Sequence, residues 1–439
     1  MNGKTINSEL KRHELIGAPG TVVVLGSGCS LGLGVPTLTG FLDHAFARLI
    51  QLSENNNNEF KDLFIQLKCY IERIKGFGGY MHLDLLNMEE LYGLAAMREG
   101  ILDKKDNPEK KDARAVLAAF KRVLFLVYHK AGIEFLDIDN RFSGFDKEGI
   151  RIKKIKRESR TEALDHNAHV NLHTNLMAYL GLASYKDDGG RFPAFIQFNW
   201  DLAFDRALWL LKVGKAPEDN QKLFPWTDFN TVESGVTSRE NHFKNDPLVI
   251  RPHGGLNWIE LPNNSKAEEA EEIKKLLLLV DPIYLNKKTY WDEKLIWDKK
   301  YIEESIKSTL PFKRGEQMVF VPPSWKKDVS PLAGQWRLCQ RYLERARRIV
   351  FIGYSMPPSD MNIRYFLALA LANNNLVPKI YVWNPEAGTP GSAVRTNYFQ
   401  LFQPLARSGR LLGIPFKFGH PGLFDLERAI QVAQPIESP

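Results

Sequence analysis

Four short stretches of this chain place polar, reactive or conformationally permissive residues at the ends of apolar runs. The first is Leu25-Gly-Ser-Gly-Cys-Ser-Leu-Gly-Leu-Gly-Val-Pro-Thr37. Glycines let a backbone approach a pyrophosphate closely, and the N–H groups opening a following helix favour its charge. The spacing is G-x-G-x-x-x-G, and a tight strand-to-helix turn with no ligand explains it equally well. The second, Phe198-Asn-Trp-Asp201, sets an amide and a carboxylate two residues apart at a strand end, where both can face one crevice. Asp201 is also a good N-cap for the helical run Leu202 to Leu211. The third, Arg251-Pro-His-Gly-Gly-Leu-Asn-Trp258, offers His253 on a turn shaped by proline and paired glycines. Imidazole, with an ordinary pKa of about 6.5, suits proton transfer near neutral pH; a lone histidine serves as readily in packing. The fourth is a pair of strand ends, Gly353-Tyr-Ser-Met-Pro-Pro358 and Trp383-Asn-Pro385.

The elements that must position these groups read as alternating strands and helices. Apolar β-rich runs are Thr21 to Leu25, Ala194 to Phe198, Leu248 to Arg251, Met318 to Val321, Arg348 to Ile352 and Lys379 to Trp383, with Leu276 to Val280 a further candidate. Each ends in the punctuation expected at the carboxyl edge of a parallel sheet. Helical patterns cover Leu38 to Leu52, Ala113 to Tyr128, Ala163 to Leu182, Leu332 to Ala346 and Ile363 to Ala372. This alternation predicts an α/β protein with a doubly wound, Rossmann-like parallel sheet. Residues 38–190 read as a helical insertion module, and residues 259–315, with the acidic run Glu268 to Glu272, as a second insertion. Residues 1–17 read as an N-terminal extension, 18–390 as the main domain, and 391–439 as a C-terminal strand and helix packing on it.

Composition narrows the class. Hydrophobic residues at 44% and charged residues at 25% permit a substantial globular core. The longest apolar stretches are too short to span a bilayer, and the first twenty residues lack a secretory pattern, so a cytoplasmic location without membrane contact is expected. Three cysteines, Cys29, Cys69 and Cys339, are too few and too far apart for a disulfide framework or a thiolate zinc site. The formal charge of +7 is modest for 439 residues. The segment Arg151-Ile-Lys-Lys-Ile-Lys-Arg157, with Arg160, is either a phosphate- or partner-binding patch or a solvated loop. It lacks the interleaved aromatics that stack on bases, which leaves direct nucleic-acid binding open. Asp165, His166, His169 and His173 fall within one predicted helix, but amphipathic packing explains them better than a metal, and no metal is expected.

Singly these motifs are ambiguous; their order along the chain is specific. A Gly-Ser-Gly-x-Ser turn, Gly-Val-Pro, Asn-Trp-Asp, Pro-His-Gly-Gly, Gly-Tyr-Ser and an Asn-Pro strand end together resemble the sirtuin-like NAD-binding superfamily over residues 18–390. Asn87-Met-Glu-Glu90 looks like a recurrent stretch of its bacterial branch. The resemblance implies that Gly26, Ser27, Gly28 and Ser30 hold NAD and that Asn199 and Asp201 face the nicotinamide ribose. It likewise implies that His253 is the catalytic base and that Gly353, Ser355 and Asn384 line the adenosine half. Protein-deacylating sirtuins carry four cysteines in paired C-x-x-C spacing around zinc, and follow the glycine-rich turn with Pro-Asp-Phe-Arg. This chain has no such pair and reads Pro36-Thr-Leu-Thr39. It is therefore more similar to the sirtuin-like NAD hydrolases of bacterial antiphage defence. Cys29 and Phe198 stand where that family usually has an aliphatic and a small hydroxyl residue.

The implied reaction fits these side chains. The nicotinamide–ribose bond joins an anomeric carbon to a cationic pyridinium, so nicotinamide leaves neutral and needs no acid, unlike the leaving group of an O-glycoside. A dry pocket, dipoles aimed at an oxocarbenium-like carbon and one base suffice. Asn199 can supply its side-chain carbonyl, His253 the base, and Asp201 either a partner for the nicotinamide amide or a helix cap. The resemblance further implies a latent enzyme of abortive infection, acting as a homo-oligomer or with a HerA-type ATPase or short Argonaute partner. A catalytically silent NAD or nucleotide sensor and a protein deacylase are the alternatives.

Overall fold

A computed structural model describes residues 20–31, 35–36, 40–53, 58–81, 87–102, 107–139, 192–201, 204, 248–260, 277–279, 317–321, 332–358 and 360–408. Its organising element is β1 (Thr21–Leu25), a threonine followed by four apolar residues, buried along its whole length. A strand that is apolar on both faces belongs in the middle of a sheet covered on both sides. β1 lies there, paired in parallel with β2 (Ala194–Gln197) and, on its other flank, with β7 (Arg348–Ile352). Beyond these lie β3 (Leu248–Ile250) and β8 (Lys379–Trp383), giving a five-stranded parallel sheet in the order β3-β2-β1-β7-β8. The chain works outward from β1 to β3, then returns to β7 on the opposite side. The order therefore reverses between β1 and β7, and such a switch point opens a crevice outside the carboxyl ends of the strands. This is a Rossmann-like α/β architecture.

One face of the sheet presents Val22, Val24, Ile196, Ile349, Phe351 and Val382 to a single core. Across it pack α6 (Ala333–Leu343), α7 (Met361–Ala372) and α8 (Ala393–Arg407), which contribute Trp336, Leu343, Leu367, Leu371, Tyr398 and Phe402. Each such side chain contributes about 1.5–3 kcal/mol by leaving water, so this layer fixes the spacing of the strands.

Between β1 and β2 the described residues form α2 (Phe41–Ser53), α3 (Asn58–Met81), α4 (Met88–Ile101) and α5 (Pro108–Asp139), after the single turn α1 (Gly28–Leu31). Tyr70 and Tyr92 meet Phe120 edge-on at 6.1 and 6.0 Å, and Phe41 stacks on Tyr128 at 5.7 Å. Asn87 caps α4, its Oδ1 accepting from the Glu89 amide at 2.9 Å. No described helix is long and apolar enough to cross a membrane. The basic segment 151–160, the predicted helix Ala163 to Leu182 with its histidines, and the acidic run 268–272 lie outside the described residues.

Two predicted strands correct the expected sheet. Leu277–Leu279 (β5) and Gln317–Phe320 (β6) do not extend the parallel sheet; they flank β4 (Gly254–Glu260) in a separate antiparallel sheet ordered β5-β4-β6. Periodicity marks a strand but not its partner, and β4 itself hid behind the paired glycines at its start. Of the C-terminal segment expected to hold a strand and a helix, α8 is described and residues 409–439 lie outside the described set.

Buried tyrosines of the module contribute to the protein's alkaline limit. Burial pushes the Tyr70 phenol up to about 12, more strongly than the nearby Arg98 and Arg73 charges pull it down, and its hydroxyl donates to the Leu91 carbonyl at 3.2 Å. An unfolded tyrosine ionises near about 10, so this stabilisation is whole below that pH and is lost as pH rises toward about 12. The urea midpoint is expected to hold between about pH 7 and 9.5 and to fall above about 10. Tyr70→Phe should recover part of that fall.

Candidate functional site

All four motifs lie at the carboxyl edge of the parallel sheet. The turn after β1 and the turn after β7 meet backbone to backbone: Gly26 N donates to Ile352 O at 2.9 Å and Gly28 N to Gly353 O at 2.8 Å. A Cβ on Gly26 would stand 2.5 Å from Tyr354 Cα, and one on Gly28 2.7 Å from the Gly353 carbonyl oxygen. Gly353 adopts φ +61°, and a side chain there would collide with the Cys29 amide nitrogen. The glycines are thus required by the contact between two turns. Cys29, buried in the same contact, points its thiol at the Ile352 carbonyl.

The amides of this turn are used internally. Besides those of Gly26 and Gly28, Cys29 N donates to Gly26 O and Ser30 N to Ser27 O. What the turn turns outward is the exposed Ser27, while Ser30 is fully buried. Asn199, 8% exposed, reaches across from the end of β2; its Nδ2 donates to Gly26 O at 2.8 Å and lies 3.4 Å from Ser30 Oγ. These bonds orient the amide and leave Oδ1 for another donor.

His253 comes from the end of β3. Gly254 N donates to Arg251 O at 3.0 Å, closing the turn Arg251-Pro252-His253-Gly254, and Gly254 at φ +73° leads directly into β4. Val321 N, following β6, donates to His253 O at 2.9 Å. The imidazole is 6% exposed, with Nδ1 3.2 Å from the Phe198 carbonyl oxygen. A carbonyl only accepts, so Nδ1 carries the proton and Nε2 is the basic nitrogen of the neutral ring. The ring lies between Phe198 (centroids 5.1 Å) and Trp336 (5.8 Å), and Tyr354 closes on Phe198 at 5.6 Å. The one carbonyl bond from the residue before Asn199 therefore ties the two candidate catalytic residues together.

Arg251, only 1% exposed, was given no role by its sequence pattern, yet it shapes the loop bearing both groups. Its Nη1 donates to Asn199 O (3.1 Å) and Asp201 O (3.2 Å), and Nη2 to Asp201 O (3.2 Å). Its own amide donates to Gln335 Oε1 at 3.0 Å, joining β3 to α6. An arginine ending an apolar strand was the available signal. Tyr128 and Trp336 gave none: α5 brings Tyr128 within 6.1 Å of Trp200, ring to ring, and burial with the Asp201 charge raises its phenol pKa. Asp201 is itself buried, and its place as a helix cap falls on undescribed neighbours.

Of the remaining predicted residues, Asn384 caps the short turn Pro385–Gly388, its Oδ1 accepting from Glu386 N at 3.0 Å. Ser355 is exposed, and its carbonyl lies 3.4 Å from Asn397 Nδ2. Tyr354 donates to Asp360 Oδ2 at 2.8 Å; burial, then the Asp360 charge, hold its hydroxyl protonated. Gln197 Oε1, two residues before Asn199 on the strand, and the indole N–H of Trp336, on the other face of the sheet, are buried without a hydrogen-bond partner among the described residues. No group of three metal-ligating side chains occurs among the described residues.

No family model matches the chain, and no curated protein matches it. The resemblance drawn from the ordered motifs therefore rests on these residues alone.

Two substitutions test this construction. Gly353→Ala should lower stability by about 3 kcal/mol or more, through positive φ and backbone collision together, read as a lower urea midpoint. Arg251→Ala should cost about 2–5 kcal/mol by stripping buried carbonyls of their donor.

Proposed function

We propose that this chain cleaves the nicotinamide–ribose bond of NAD, giving nicotinamide and ADP-ribose, with Asn199 and His253 as its catalytic pair. The observation that carries the reading is the shared anchorage of the two side chains at the edge of the switch-point crevice. His253 Nδ1 is held by the Phe198 carbonyl, and Asn199 Nδ2 by Gly26. His253 Nε2 is the basic nitrogen and Asn199 Oδ1 the acceptor that this reading assigns to the chemistry. The ordered motifs that resemble sirtuin-like NAD hydrolases, and the absence of paired zinc-binding cysteines, favour NAD cleavage over deacylation.

In this reading NAD is the substrate. The C1′–N bond breaks and its electron pair goes to the pyridinium nitrogen, so nicotinamide departs neutral. Water forms the new C1′–O bond and gives its proton to His253 Nε2. Asn199 Oδ1 orients that water or a ribose hydroxyl, and the aromatic wall of Phe198 and Trp336 keeps bulk water out. The Trp336 N–H, beside the His253 ring, is an open donor suited to a polar ring substituent such as the carboxamide. Ser27 and Ser355, both exposed, and the half-buried Asn384 form the remainder of the NAD surface, carried on the turns that Gly26, Gly28, Ser30 and Gly353 build. The internal use of four turn amides gives the diphosphate to side chains rather than to an amide cradle. The sirtuin-type fold, the role as a latent defence effector, and assembly as a homo-oligomer or with an ATPase or Argonaute partner belong to the same proposal.

The test is product analysis by mass spectrometry after incubation with NAD. Nicotinamide and ADP-ribose are expected. His253→Ala and Asn199→Ala should each lower the rate by about two orders of magnitude or more with circular dichroism unchanged. Equal turnover in both variants refutes the assignment.

A further inference from the structure

The amino edge of the central sheet holds a second polar constellation, at the far end of β7 from the candidate site and roughly 13 Å away along the strand. Arg348 opens β7 and is 4% exposed. Its Nε and Nη1 are buried and have no hydrogen-bond partner among the described residues. A buried guanidinium ordinarily has a carboxylate or several carbonyls around it, because an uncompensated charge in the interior is strongly unfavourable. Here the strand register supplies more positive charge instead. Arg348 is aligned with Thr21 of β1 on one side and with Lys379 of β8 on the other. In-register neighbours in a parallel sheet project from the same face. The next residues, Val22, Ile349 and Ile380, all enter the core on the opposite face, which places Thr21, Arg348 and Lys379 together on the first.

A hydroxyl, a guanidinium and an ammonium thus stand in a row across three adjacent strands. Like charges directly opposed on neighbouring strands are destabilising, and neither Arg348 nor Lys379 forms an ion pair with a described residue. Arg345 and Arg347 lie on the approach from α6 to β7, next to Glu344. Every side chain in the row can donate, and a tetrahedral oxyanion is an acceptor that can take several such donors. We propose that this edge is a binding site for a phosphate group, with Arg348 as its buried anchor and Lys379 and Thr21 as its flanks. The site is separate from the proposed NAD site and does not depend on it.

The experiment titrates the full chain with inorganic phosphate at fixed ionic strength, reading binding by calorimetry and stability by thermal unfolding. Saturable single-site binding is expected, with Tm raised by a few degrees at about a hundred times Kd. Arg348→Met, which keeps the apolar stem, should abolish binding and be at least as stable as the parent in phosphate-free buffer. Lys379→Met should weaken binding about tenfold, a second and independent reading of the same site. Asn199→Ala should bind phosphate like the parent. Four results overturn the proposal: no saturable binding; binding unchanged in both basic-residue variants; loss of binding in Asn199→Ala, which moves the phosphate to the other edge; or an Arg348→Met protein less stable than the parent without phosphate, which shows the guanidinium already satisfied within the chain.

Discussion

Two turns that leave adjacent strands in opposite directions cannot normally touch through their main chains, because side chains hold them apart. In this protein Gly26, Gly28 and Gly353 remove that obstacle, and the β1 and β7 turns exchange hydrogen bonds of 2.9 and 2.8 Å. The carboxyl edge is assembled from this contact outward. Gly26 O is the anchor for Asn199, and Tyr354, next to Gly353, packs on Phe198, which in turn packs on His253. Because the interface is backbone on backbone, it has no soft side chain to absorb displacement. A shift between the two strand ends passes directly to the polar groups above them.

Arg251 governs the other half of the edge. The loop 198–201 presents its carbonyls inward, where they need donors, and a buried guanidinium supplies three bonds from one side chain. The burial cost of the cation and the desolvation of the carbonyls offset each other only in this geometry. The loop is therefore fixed by β3, while its side chains remain available: Asn199 is turned toward the glycine contact and the Phe198 carbonyl toward the histidine. Positioning and chemistry are divided between main chain and side chain.

How much of this was legible in the sequence follows from the range of each interaction. β1, β7 and β8 begin and end where their apolar runs do, since a buried central strand needs continuous hydrophobicity. The placement of Asn199 and His253 at strand ends was legible for the same reason. The antiparallel pairing of β4 with β5 and β6 was not, because pairing joins residues far apart in sequence that carry no mark of their partner. The glycine-rich turn shows the limit most clearly. Its spacing is compatible with a phosphate cradle and with a close turn-to-turn contact, and only the partner turn, more than three hundred residues later, shows that the second operates. Asn384, matched by motif to a ligand-lining position, spends its side-chain oxygen on a cap that local sequence, Asn before Pro and Glu, does encode. Trp336 and Tyr128 reach the site from helices and were beyond any local pattern.

The two buried arginines of the sheet show why burial alone does not define a role. Arg251 and Arg348 both adjoin strand ends and both are almost wholly enclosed. The first is surrounded by main-chain carbonyls from its own chain, so its charge is spread over bonds whose loss would loosen the fold. The second has two enclosed N–H groups without a described acceptor and a lysine in register beside it. Evolution can retain a guanidinium of the first kind for architecture. One of the second kind weakens the folded state unless an acceptor reaches it, and in the proposed site a bound anion is that acceptor. The same side chain thus reads as a clamp at one edge of the sheet and as a receptor at the other, and the acceptors around it make the difference.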